Sequence, residues 1–116
     1  MCKSDRIRLQ HMRDAAREAI GFAADRSREA LDADRMLVLA LVKALEIVGE
    51  AAGQVSEETR ARVPDIPWAD IAGMRNRLVH AYFDINLEIV WQTIRQDLPP
   101  LVEKLESAIH ALASDC

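Results

Sequence analysis

The run Met36-Leu37-Val38-Leu39-Ala40-Leu41-Val42-Lys43-Ala44-Leu45-Glu46-Ile47-Val48 decides the fold class of this chain. Wound as an α-helix, it is apolar on nearly every side of its first half, so it must be buried on more than one side. In a small chain such a helix takes a central position or a subunit interface. Its polar exceptions, Lys43, Glu46 and Glu50, fall at i, i+3 and i+7 and form one narrow stripe. The spacing predicts a helix from about Asp34 to Gln54, in which Gly49 and Gly53 would let another backbone approach closely. The continuous apolar part, Met36 to Val42, is far shorter than the roughly 20 residues that a membrane span requires.

Working outward from this helix, Leu9, Met12, Ala16, Ala19, Ile20 and Ala23 recur at helical spacing, with Arg6, Arg13, Arg17 and Glu18 off that face. They predict a first helix from about Asp5 to Ala24, with Ser4 as its N-cap. The charged residues Asp25 to Leu31 break the pattern and mark a turn. After the central helix, Ser56-Glu57-Glu58-Thr59 starts a short helical turn that Pro64 ends. Pro67 takes the first position of a further helix, expected to run from Trp68 to Phe83. Asp84 to Asn86 reads as a turn, with Asn86 as the next cap. The remaining helical pattern is expected to split at Pro99-Pro100, which lack amide donors, into Leu87 to Gln96 and Pro99 to Ala113. The sum is an all-α, four- to five-helix bundle with short, mostly up-down connections.

Length and composition agree. The 116 residues suit one domain spanning the chain, and an apolar content of 50% suffices for one helical core. A net charge of -4 excludes a generic nucleic-acid coat, so any RNA contact must come from a local basic patch. The two cysteines, Cys2 and Cys116, have no second cysteine or histidine at metal-ligand spacing and read as free thiols of a reducing compartment. The polar start, Met1 to Arg6, has no apolar segment behind it that would act as a secretion signal. Together these features predict a cytoplasmic protein without a membrane segment. A di-metal bundle enzyme is disfavoured because no Glu-x-x-His pair occurs.

Chemistry concentrates in Arg75-Asn76-Arg77-Leu78-Val79-His80-Ala81-Tyr82, where two arginines, an amide, a histidine and the only tyrosine fall within about two helical turns. A titratable imidazole, a fixed cation and a polar orienting group are the parts needed for phosphodiester cleavage without a metal. On a continuous helix, Asn76 and His80 share one face about 40° apart, whereas Arg75 and His80 diverge by about 140°. One copy would therefore surround a phosphate poorly, and two copies about a two-fold axis would bring both histidines and both arginines into one cleft. On spacing alone, an ordinary amphipathic face with a structural histidine and solvated arginines is the more common reading of such residues. His11 and His110 have no comparable neighbours in sequence, and neither is assigned a role.

The same run matches the R-x-x-x-x-H-x-Y pattern of HEPN domains. Most closely it resembles the HepT-type toxins of HEPN/minimal-nucleotidyltransferase (MNT) toxin–antitoxin pairs. Ala44 to Ala52, Ile66-Pro67-Trp68 with Ile71 to Arg75, Trp91 and Asp97-Leu98-Pro99 extend the resemblance from about Asp5 to Leu112. It implies a dimerising all-α bundle with a metal-independent RNase site at the dimer interface. Arg75 and His80 would be the catalytic pair, Asn76 their polar neighbour, and Tyr82 the residue that the partner nucleotidyltransferase modifies with AMP. No cofactor is implied. The partners implied are a second copy of the chain, the nucleotidyltransferase antitoxin and RNA. Arg77, Glu46 and Glu50 are possible supporting residues, the glutamates either orienting the arginines or forming a polar rim. The competing reading is a non-catalytic helical subunit that binds a nucleotidyltransferase or its nucleotide.

Overall fold

In the computed structural model, residues 2–81 and 84–115 are described, without the side chains of Cys2, Arg75, Val79, His80, Ala81, Ser114 and Asp115. Helix α1 spans Cys2–Ala23, α2 is a single turn at Ala30–Ala33, and α3 spans Arg35–Gly53. A short α4 (Glu57–Arg62) leads to α5 (Trp68–Leu78). A small ladder of β1 (Val79–Ala81) and β2 (Asp84–Ile85) follows. Then come α6 (Leu87–Gln92), a π-helical turn (Thr93–Asp97) and α7 (Leu98–Asp115). The all-α class expected from the sequence holds, with the ladder as a minor addition.

Local chemistry sets most boundaries. The side chain of Asp34 accepts from the Leu37 amide, Ser56 from Thr59 and Asn86 from Ile89, each satisfying an orphan donor of a first turn. At the end of α1 the chain reverses through Asp25, whose φ of 60° is the left-handed geometry common after a helix terminus. The first helix starts earlier than its sequence suggests. Ser4 lies inside α1 and is not its cap.

Helix α3 is central, as its composition demands. Leu41, Leu45 and Val48 are fully buried, and α1 and α5 cover two of its sides. Across α1 the core continues through Leu9 and Met12 to α7, where Leu105 and Leu112 close it. The third side of α3 is open, leaving Met36 82% and Leu39 47% exposed beside Lys43 and Glu50. Of the two glycines, Gly49 does face α5, but a Cβ there would meet the Ile71 carbonyl at an ordinary 3.8 Å. Gly53 has nothing within 4 Å of the equivalent position, so the close backbone approach expected of this pair is not made.

The proline pair does not separate two helices. Instead, the Leu98 amide reaches back five residues to the Thr93 carbonyl, widening one turn into π geometry. Pro99 and Pro100 then fall in the first turn of α7, where their missing donors cost least. The path from Leu87 to Asp115 is thus continuous, with a shifted register in place of a break.

Candidate active site

Helix α5 is held at both ends. At its start the Trp68 indole N–H donates to the Val63 carbonyl at 3.2 Å, and the Arg60 guanidinium lies over the Trp68 ring, 5.7 Å from its centre. Arg60 also donates to the Ala52 carbonyl at 3.0 Å, tying the end of α3 to the same corner. Along the helix Ile71, Met74 and Leu78 recur at i, i+3 and i+7 and are buried. That stripe fixes the roll of α5 and leaves Asn76 and Arg77 exposed.

The helix ends at Leu78, five residues before the expected Phe83. Val79 pairs with Ile85 and Ala81 with Asp84 in the antiparallel ladder, which has an irregularity between the two pairs. The Asn86 amide donates to the Leu78 carbonyl at 2.7 Å, closing the hairpin just before Asn86 caps α6. The β-branched Val79 and Ile85 suit this ladder better than a further helical turn. His80 consequently lies in β1, two positions beyond the helix, while Asn76 and Arg75 lie within α5. This corrects the shared helical face of Asn76 and His80, and the angle between Arg75 and His80 on one continuous helix. Tyr82 falls outside the described residues, as do the side chains of Arg75 and His80.

The supporting residues are dispersed. Arg77 folds back along α5 and donates to the Asp70 carbonyl at 3.2 Å. Glu46 is half-buried on α3 and is not a free carboxylate. Glu50 is exposed, one turn further on, and lines a cleft of about 140 Å³ with Arg8, His11 and Gln54. That cleft brings His11 beside a cation and a carboxylate. Sequence spacing did not reveal it, because the pairing depends on how α1 and α3 dock. Among the described residues no group of three His, Cys, Asp or Glu could hold a metal ion. No helix among the described residues is long and apolar enough to cross a membrane.

Comparison with known proteins bears on this arrangement. A family model described as "Ribonuclease HepT-like" matches residues 12–108, a range that contains the whole motif. A protein named a putative RNase in Caldanaerobacter subterraneus subsp. tengcongensis is 35% identical over 108 residues, covering 93% of this chain and 96% of that protein. Another, in Methanocaldococcus jannaschii, is 31% identical over 98 residues, covering 84% and 90%. A probable ribonuclease HepT of Thermococcus cleftensis is 38% identical over 73 residues, covering 63% and 66%. No solved structure gives a significant match.

Proposed function

Because the chain belongs to the HepT-like ribonuclease family, we propose that it is the metal-independent RNase toxin of a HEPN/MNT toxin–antitoxin pair. Arg75 and His80 are its catalytic residues. The observation that carries this reading is the complete motif, Arg75 to Tyr82, lying inside the matched range of residues 12–108.

The reaction follows from the residue types. The imidazole of His80 takes the proton of a ribose 2′-OH as that oxygen bonds to phosphorus. The bond from phosphorus to the 5′-oxygen then breaks, and that oxygen takes a proton from an imidazolium of the same cleft. The products are a 2′,3′-cyclic phosphate and a 5′-hydroxyl end. The Arg75 guanidinium binds the non-bridging oxygens and stabilises the charge that builds on them. Asn76, exposed on the same helix as Arg75, orients phosphate or imidazole by hydrogen bonding.

A dimer completes the site, with each copy contributing to one cleft. The open side of α3, carrying Met36 and Leu39, supports such an association because exposed apolar side chains of this size are costly in water. Silencing acts through Tyr82. Its phenolic oxygen attacks the α-phosphorus of ATP on the partner nucleotidyltransferase, and pyrophosphate leaves. The adenylate then blocks the cleft by bulk and negative charge.

Induced expression of wild type beside His80→Ala, following growth and total RNA, tests the reading. Growth arrest with RNA cut only by the wild type is expected. Intact RNA from a wild-type protein whose mass shows unmodified Tyr82 would overturn it, in favour of a non-catalytic subunit that binds a nucleotidyltransferase.

A further inference from the structure

A groove of about 240 Å³ lies between α5 and the π-turn with the start of α7. Its apolar floor includes Ile71, Met74 and Leu101, its walls carry Asp97 and Gln96, and Arg77 and Lys104 supply two cations. Neither cation pairs with a carboxylate within 4 Å among the described residues, although Asp70 and Asp97 line the same groove. Arg77 is anchored on a neutral group, the Asp70 carbonyl, so its guanidinium is held in place without a direct ion pair. Lys104 stands about 10 Å beyond Asp97 along its helix. Many other cations of this acidic chain are already committed. Arg13 and Arg17 pair with Glu106, Arg26 with Asp34, and Arg28 with Asp32 and Glu88.

The groove is also tied to the motif. Arg77 belongs to the run that carries Arg75 and His80, and β1, which holds His80, follows α5 directly in the segment of chain between the two walls. The π-turn matters as well, since its wider path sets Gln96 and Asp97 at the groove's edge. An apolar floor, a carboxylate and an amide, and two cations free of direct ion pairs among the described residues are together complementary to a nucleotide. A planar ring covers the floor, an exocyclic amine donates to the carboxylate, and a phosphate meets the cations.

Taking the chain as an RNA-cleaving enzyme, the reading on which this inference rests, we propose that the groove holds one nucleotide of the RNA strand flanking the cleaved bond. The base lies on Ile71, Met74 and Leu101. Its exocyclic amine donates to the Asp97 carboxylate, which can only accept, and its phosphate is bound by Arg77 and Lys104. The groove thereby disfavours uracil, which offers an oxygen where cytosine offers an amine.

The test uses the full-length His80→Ala protein, which leaves RNA uncut, titrated with hexacytidylate and hexauridylate. Amide shifts over Gln96 to Lys104 and at least about threefold tighter binding of the cytidine oligomer are expected, the size of one hydrogen bond's discrimination. Adding Lys104→Ala, an exposed position that leaves the fold intact, should weaken binding about threefold to tenfold. The slope of log affinity against log salt should become shallower by about 0.7, the value of one lost phosphate contact on a single strand. Binding with no shift over Gln96 to Lys104, or with affinity and salt slope unchanged by Lys104→Ala, would overturn the groove alone. No binding of either oligomer and no cleavage of RNA by the wild type would overturn the groove together with the RNase reading.

Discussion

The carboxylate of Asp5 accepts the Thr59 hydroxyl at 2.5 Å across 54 residues of chain, in a spot where Asp5 is only 5% exposed. Ser56 donates to the same carboxylate through its hydroxyl at 2.7 Å and its amide at 3.0 Å. One buried anion therefore gathers the start of α1 and the cap of α4, whose Ser56 hydroxyl in turn accepts from the Thr59 amide. Burial acts to raise the Asp5 pKa, but the hydrogen bonds from Thr59, the Ser56 hydroxyl and the Ser56 amide outweigh it. The net direction is down.

A folded-state pKa below the ordinary aspartate value means the carboxylate stabilises the fold above about pH 4, and that this contribution is lost as pH falls further. Replacing Asp5 by Ala strands three donors and should cost about 2–3 kcal/mol at neutral pH. The gap between wild type and Asp5→Ala in urea midpoints should then narrow as pH drops below about 4. A gap that stayed constant with pH would contradict the charged form of this clamp.

The hairpin that carries His80 depends on Asn86. Its amide binds the Leu78 carbonyl, and its side chain caps α6 by accepting from the Ile89 amide at 3.1 Å. Asn86→Ala keeps the first bond and removes the second, so it should cost about 1 kcal/mol and speed hydrogen exchange of the Ile89 amide. Native exchange at that amide in the variant would show that the cap does not hold the start of α6.

What the sequence reveals and what it conceals divide by the range of the forces involved. The caps Asp34, Ser56 and Asn86 act within three residues: Asn86 is a cap that the sequence predicts, Asp34 and Ser56 stand where it starts their segments, and Ser4, the other predicted cap, lies inside α1. The central burial of α3 likewise follows from its own side chains. Leu78 is different. Up to that point the helical period is unbroken, and the helix stops because Val79 finds Ile85 across a turn. For the prolines, sequence rules give a break but not its form, since a π-turn also places both prolines in a first turn where no amide donor is needed. Neither Asp5 with Thr59 nor His11 with Glu50 has any local signature, because only helix docking brings them together. As for the candidate site, the residue types were legible in the sequence, whereas the helical face assumed for His80 was not correct.

Association through the open side of α3 has a sharp consequence. Lys43 and Glu50 lie two turns apart on that side, so a two-fold axis between them sets each lysine against the glutamate of a second copy. Met36, 82% exposed, contributes almost nothing to the core of one copy. Met36→Glu should therefore leave helicity and the thermal midpoint of the isolated chain unchanged, while light scattering shows a shift from dimer to monomer and RNA cleavage falls. A variant that remains dimeric would place the interface on another face.

Mixing two inactive variants separates a shared cleft from two independent ones. Arg75→Ala and His80→Ala should each lower cleavage by about a hundredfold or more, since one removes the cation and the other the acid–base group. Within a single copy, Arg75 lies in α5 and His80 in β1, with the end of the helix between them. If the arginine of one copy serves the histidine of the other, an Arg75→Ala chain paired with a His80→Ala chain keeps one intact combination, and the mixture regains activity. Were both residues to act within one copy, every combination in that heterodimer would stay broken and the mixture would remain as inactive as its parents. Co-refolding the two variants in equal amounts and following cleavage of a labelled RNA decides the matter. Recovered activity is the expected result, with a ceiling of about a quarter of wild type, because half of the random pairs are mixed and each holds one of the two Arg–His combinations of the cleft.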